Sequence, residues 1–337
     1  MTTKHRTDDP LPGGLTRRAF LALPVAAAVA SCTRTGPPFV ESAFSIPSRS
    51  AVGLFPASDY AVDLSDVIFR GLAELDVDVR GLSILLKPNM VEYEAGAAIN
   101  THPLVVAGAA SALRRAGARE VVVGEGPGHR RDVEYLLSAT GLHDHLGDLG
   151  VRFVDLNHDD VREVPLRSWF TGLGSMALPV SVLDADLVVS MPKLKTHHWA
   201  GMTCGMKNLF GTVPSAVYGW PKNILHFHGI DASILDLAAT IRPGLTIVDG
   251  IVGMEGDGPI MGRPRSVGFV AIGTDVVAVD STCARVIGVD PAKLLYLEGA
   301  GRFLGNADAN RIDQRGETPE RYRTNFDLIE SMQRVRL

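Results

Sequence analysis

Short apolar runs, separated by glycine, proline and charged residues, recur along the chain from residue 51 onward. Leu82–Leu86, Glu120–Val123, Val151–Asp155, Leu187–Val189, Leu245–Val248 and Val267–Ile272 are mostly apolar stretches of strand length. Runs of this kind suit strands buried on both faces of a parallel sheet. Between them, Asp63–Leu75, Leu104–Ala116, Val133–Leu137, Ser233–Thr240 and Asp275–Val286 space their apolar residues as helices do. Pro103 suits the first turn of its helix, and Gly117 closes it. The alternation predicts an α/β fold, with a mixed or mostly parallel sheet flanked by helices and a ligand pocket at the strand C-terminal ends. Residues 160–182, with Pro165 and Pro179, predict an irregular β excursion, and Pro214–Pro221 a flexible segment. The domain spans 51–310, divisible into lobes of about 51–160 and 161–310, and the charged stretch Arg311–Leu337 predicts a surface tail.

Residues 15–32 break the pattern. Thr16-Arg17-Arg18-Ala19-Phe20-Leu21 is a twin-arginine sequence, and the apolar run Phe20–Ala30 follows it. That run is shorter than the roughly 20 residues a membrane span needs. Val29-Ala30-Ser31-Cys32 resembles a bacterial lipobox with Cys32 as the lipidated residue. The expectation is export of a folded protein by the twin-arginine machinery. Its final place is on the outer side of the cytoplasmic membrane, tethered through Cys32 and residues 33–50, or in the periplasm.

Composition narrows the partners. With 337 residues and 46% hydrophobic content the chain can bury a large core, and 6% aromatic residues favour α/β packing. A formal charge of −5 and the lack of a basic stripe argue against a nucleic-acid partner. Cys32, Cys204 and Cys283 are too few to ligate an iron–sulfur cluster or build a disulfide framework.

Chemistry gathers in Leu183–Gly211. Pro192 ends the Leu187–Val189 strand, and a polar loop is expected beyond it, carrying Lys193, Lys195, His197, His198, Trp199, Cys204 and Lys207 among Gly201, Gly205 and Gly211. Glycines there allow close backbone approach to a ligand. Crowded cations need an anion or a metal to offset their repulsion. Lys87, Lys193 and Lys195 suit an anionic group, and Cys204 suits packing. His226 and His228 alternate, which on a strand would place both toward one metal. Asp249, at a strand end, and Glu255 and Asp257, among glycines, are candidate cation ligands or histidine orienters. His129 sits on the glycine-rich loop after the Glu120–Val123 strand, and that loop lacks the dinucleotide fingerprint.

Several segments resemble a known family. Lys87-Pro88-Asn89, Thr101-His102-Pro103, Met191–His197, Lys207–Gly211, Asp249–Pro259 and Asp275–Asp280 are similar to hallmark segments of the bacterial and archaeal domain of unknown function 362. Its members are often fused to ferredoxin modules, for which this chain lacks the cysteines. His197-x-x-Ala200-Gly201-x-x-x-Gly205-x-Lys207 is also similar to a segment of the nickel-pincer lactate racemases. That resemblance implies a His197 active in proton or hydride transfer and a Lys207 carrying the nickel cofactor covalently. Gly128-His129-Arg130 resembles the same family's His-Arg-Pro segment, implying a second catalytic histidine, with Arg131 in the proline's place. Asn223 stands where that family has a nickel-ligating histidine.

The combined expectation is an exported enzyme acting on a small anionic molecule. Its cofactor would be a metal, nickel or another divalent ion, or an organometallic group, with His129 and His197 as the acid–base pair and Lys207 beside them. The alternative is a lipoprotein that binds a metal, an anion or a cofactor without chemistry.

Overall fold

Alternation at the start of the domain produces strand β1, Ser50–Pro56, and the helical spacing that follows produces helix α1, Leu64–Glu74, capped by the Asp63 carboxylate on the Asp66 amide. The structure is a computed structural model that describes residues 36–128 and 132–337. The twin-arginine segment, Cys32 and His129 lie outside the described residues.

The next strand–helix–strand unit is β2 (Ser83–Pro88), α2 (Pro103–Arg115) and β3 (Glu120–Glu125), with β2 and β3 paired in parallel. Pro103 occupies the first turn of α2, where its missing N–H costs nothing, and the His102 side chain caps the helix. Helices α3 (Val133–Thr140) and α4 (Leu142–Leu149) lead to β4, Phe153–Asp155. The predicted β excursion is a separate hairpin of β5 (Val161–Pro165) and β6 (Ser175–Pro179).

Strand β7, Leu187–Met191, returns to the main sheet beside β2. Beyond Pro192 the structure departs from expectation. Lys193–His197 is not a loop but strand β8, buried along its whole length, and β9 (Gly201–Thr203) pairs back on it. Pro192 lacks the N–H a ladder needs, so it bends the chain between two strands rather than ending the sheet. Strand β10, Leu245–Glu255, accepts both pieces, pairing with β7 at Leu245–Thr246 and with β8 from Asp249 onward. The short helices α5 (Gly205–Asn208) and α6 (Asn223–Phe227) and the longer α7 (Ile230–Ile241) connect β9 to β10. Strand β11 (Arg263–Gly273), helices α8 (Val276–Val286) and α9 (Leu295–Ala300) and strand β12 (Ile312–Gly316) complete the order.

The main sheet runs β12-β1-β11-β10-β7-β2-β3-β4, parallel except where β11 meets its two neighbours. Alternate residues of β11 feed different cores: Phe269 and Ala271 join α7, α8 and α9, whereas Val270 and Ile272 join α1 and α2. Full burial of Phe269, Val270 or Ile272 contributes about 1.5–3 kcal/mol each.

Pro38–Leu337 fold as one compact unit. Strands from both sides of residue 160 share the main sheet, so lobes of about 51–160 and 161–310 do not separate. Nor is the C-terminal stretch a surface tail, because β12 pairs with β1 while Phe326, Leu328, Met332 and Val335 enter the core. Its charged residues hid an apolar subset spaced to face inward. Among the described residues no helix is long and apolar enough to cross a membrane.

Candidate functional site

Strands β2 and β3 end side by side, and their last residues form the first element of the site. Lys87 of β2 is fully buried and paired with Glu125, the last residue of β3. The Lys87 ammonium also donates to Pro88 O at 2.7 Å and to Asn208 Oδ1 at 3.1 Å, while Glu125 accepts the Gly126 amide at 3.0 Å. A Cβ on Gly211 would collide with both Glu125 Oε1 and Lys87 Nζ, so only glycine fits there. Burial lowers the Lys87 pKa and Glu125 opposes that shift.

A second buried pair joins β8 to β10. Lys193 Nζ lies 2.5 Å from Asp249 Oδ2, and Asp249 also accepts from the Tyr60 hydroxyl at 3.1 Å and the His102 amide at 2.9 Å. With its acceptor sites engaged, Asp249 organises structure. Tyr60 and His102 stack at 3.7 Å along a separate hollow of about 360 Å³, which Lys193 also lines. Burial pushes His102 down to about 4, and its Nδ1 accepts the Leu104 amide.

Between and beyond these pairs opens a cavity of about 710 Å³, past the carboxyl ends of β2 and β3. Lys195, Lys207 and Lys222 line it together with His197, His198 and His226. Lys195 is fully buried, and its Nζ donates only to carbonyls among the described residues, Ile99 O at 2.7 Å and Pro259 O at 3.3 Å. Burial and the neighbouring Lys193 and Lys207 ammonium groups hold its pKa well below the ordinary lysine value. Lys207, on α5, lies 3.7 Å from the centroid of the Phe210 ring. Burial, and then the Lys87 ammonium, bring Lys207 down to about 7. Lys222 donates to Val213 O, sits in left-handed backbone at φ +67°, and is brought down to about 7, mainly by burial.

His197 is buried and has its tautomer set by backbone. Its Nδ1 accepts the Trp199 and Ala200 amides at 3.1 and 3.2 Å, so the neutral ring carries its proton on Nε2. Burial and the Lys207 charge depress its pKa well below the usual histidine value, so the ring is neutral. It is therefore a hydrogen-bond donor and not a proton acceptor, which revises its expected half of an acid–base pair. His198 Nδ1 lies 3.3 Å from Asp257 Oδ1 at the cavity edge.

The expected metal ligands do not assemble. His226 and His228 are not on a strand: His226 is in α6 and His228 caps that helix's C-terminus. His226 lines the cavity, with Nδ1 3.2 Å from Lys222 O, whereas His228 Nδ1 lies 3.0 Å from Thr171 O. Glu255 is held by Arg263 at 2.9 Å and by the Asp327 amide at 3.0 Å. Among the described residues no group of three or more His, Cys, Asp or Glu is placed to hold a metal ion, so the expected set of His226, His228, Glu255 and Asp257 does not come together.

Two predicted ligand-facing glycines serve packing. A Cβ on Gly201, at φ +77°, would strike Leu294, and one on Gly205 would strike Val276 and Asp280. The buried Asp280 accepts the Gly205 and Met206 amides at 2.7 and 3.0 Å, which anchors the start of α5, and burial raises its pKa to about 7. Cys204 is buried in the core.

Sequence reasoning missed Lys222 and Glu125. Glu125 had a signal, a carboxylate between glycines at a strand's end, but Lys222 had none, because its approach depends on the backbone turn at residues 219–222. Asn89, also in the cavity lining, has a buried Oδ1 with no partner among the described residues.

Residues 84–285 match the family described as domain of unknown function DUF362. A thylakoid-associated protein of Synechocystis sp. (strain ATCC 27184 / PCC 6803 / Kazusa) is 33% identical over 240 residues, covering 69% of this chain and 71% of that protein. Among solved structures, the lactate racemase apoprotein of Thermoanaerobacterium thermosaccharolyticum is similar at TM-score 0.45 and 14% identity, over 72% of this chain and 59% of that one. A Thermotoga maritima protein is similar at TM-score 0.34 and 14% identity, over 63% and 56%. The chain spans less than two thirds of either solved protein.

Proposed function

The chain belongs to the DUF362 family, and on that premise we propose an enzyme that binds a small organic anion in the lysine-lined cavity and moves a proton on it. One observation carries this reading. Lys195, Lys207 and Lys222 converge on one cavity, and of its two carboxylates Glu125 is committed to Lys87 while Asp257 lies against His198 at the edge. A bound anion would supply the missing charge and draw the lysines that hold it, Lys195 and Lys222, toward their protonated forms.

Lys195 and Lys222 hold the anionic group, and His197 donates a hydrogen bond from its Nε2–H to an oxygen of the ligand. Lys207, with a pKa of about 7, is neutral often enough to accept a proton from the carbon beside that group. In that step the C–H bond breaks, an N–H bond forms on Lys207, and the electron pair moves onto the oxygen facing His197. His129, the second histidine implied by resemblance, is a proposed partner for returning the proton on the opposite face. The described residues offer no metal set, so no step is assigned to one.

We place the protein outside the cytoplasmic membrane, exported through its twin-arginine segment and anchored through Cys32. The thylakoid association of the Synechocystis relative supports a membrane-proximal setting.

Calorimetric titration with acetate and inorganic phosphate at pH 8, in buffers of different ionisation enthalpy, tests the binding step. Binding with net proton uptake is expected, and absence of binding to both anions sinks the reading. Solvent deuterium exchange into bound carboxylic acids, followed by NMR, tests the chemistry. Exchange that Lys207→Ala abolishes supports the enzyme. Binding without exchange for any acid tried would favour non-catalytic anion capture, the reading suited to lysines that act only as charges.

A further inference from the structure

We infer that the cavity takes an amphipathic anion, a carboxylate or phosphate head joined to an aromatic body; this deepens the anion-binding reading above and rests on it. Size is the first argument. An acid of six heavy atoms displaces about five waters, on the order of 150 Å³ at about 30 Å³ per water. The cavity of about 710 Å³ is several times larger, in the range of pockets that enclose drug-sized ligands.

The lining is also layered. Lys195, Lys222 and Asn208 on the floor are each at least 97% buried. Met90, Phe210, Pro259 and Ile260 also line the cavity. At the mouth, Trp199 is 58% exposed and Met261 76% exposed. Buried cations, an apolar lining and exposed apolar residues at the rim match a ligand charged at one end and apolar at the other.

The mouth favours a ring over an alkyl chain. The Trp199 indole meets the His198 ring edge to face at 4.5 Å and the His226 ring at 5.5 Å, so three flat side chains cluster where the ligand body would emerge. A large apolar side chain left in water beside a polar floor marks a binding surface when it rims a cavity. Covering the indole with an aromatic ring would remove apolar area from water and add an aromatic contact. Nothing on the floor requires that ring, so head and body are recognised by different residues.

Calorimetry on the full domain separates the two. Acetate and inorganic phosphate probe the floor alone, while 3-phenylpropionate and phenyl phosphate probe floor and mouth together. The aromatic anions should bind at least about tenfold tighter than their small counterparts, from ring burial and stacking. A Trp199→Ala/Met261→Ala double variant should bring the aromatic anions down to the affinity of the small ones. Both side chains are largely exposed, so an unchanged melting temperature serves as the folding control. If 3-phenylpropionate binds within about threefold of acetate and phenyl phosphate within about threefold of phosphate, the amphipathic inference falls and the anion-binding reading stands. If none of the four binds, both fall. Preference for phenyl phosphate over 3-phenylpropionate, or the reverse, identifies the head.

Discussion

Two sets of lysines, whose members Lys193 and Lys195 share one strand, meet different fates. Lys87 and Lys193 are buried against Glu125 and Asp249, with further oxygen acceptors completing their shells. Lys195, Lys207 and Lys222 line the cavity with carbonyl or aromatic partners but no carboxylate of their own among the described residues. A matched buried pair ties strand ends together, and removing one member strands the other. An unmatched lysine is a standing electrostatic cost, retained where a ligand relieves it. The same residue type thus serves architecture in one place and recognition in the other, and charge balance tells them apart.

The sharpest way to break this contrast is to unbalance the matched set. Lys193→Met leaves Asp249 buried without its cation and should destabilise the fold by about 3–5 kcal/mol, read from denaturant unfolding. A variant as stable as the parent would mean that the pair is not structural. Lys222→Met, in the unmatched set, should change stability by less than about 1 kcal/mol, and in the favourable direction, while weakening anion binding at least about tenfold through loss of a charged hydrogen bond. Equal losses of stability in the two variants would erase the distinction.

Titration sharpens it further. Lys207 and Lys222 hold pKa values of about 7 in the fold against an ordinary 10.5. The unfolded chain therefore carries more protons between about pH 7 and 10.5, and these two groups make stability rise with pH across that window. Anion affinity should run the opposite way, level below pH 7 and falling above it, by up to about tenfold per pH unit for each lysine that must carry its proton. An affinity independent of pH from 6 to 9 would exclude Lys222 from the anion's shell. The smallest effect is expected from a chelator: with no cluster of three or more metal ligands among the described residues, anion affinity after exhaustive chelation should stay within about twofold. A larger loss would reinstate a metal.

Much of the framework was legible in the chain. The apolar runs at 82–86, 120–123, 187–189, 245–248 and 267–272 all fall on strands, the first overlapping β2 from Ser83, and Pro103 and Gly117 mark the ends of α2 as their chemistry dictates. The convergence of Lys195, His197 and Lys207 was legible too, because they follow one strand within a short span. Partners were not. Lys87 meets Glu125 across 38 residues and Lys193 meets Asp249 across 56, and no local pattern separates those lysines from Lys195. His226 and His228 read as a strand pair because period-two spacing is ambiguous over three residues, whereas α6 and its capping turn decided their directions.

From sequence alone, then, came most of the helices and sheet strands between residues 63 and 286, their largely parallel character and the cluster of basic residues, because hydrophobic period, caps and glycine positions are local properties of the chain. Tertiary structure alone decided which lysines are neutralised, that His197 keeps its proton on Nε2, and that Lys222 joins the cavity from a distant turn. The physical reason is that burial and charge pairing set the protonation of these groups, and both depend on what lies within a few ångströms in space rather than along the chain.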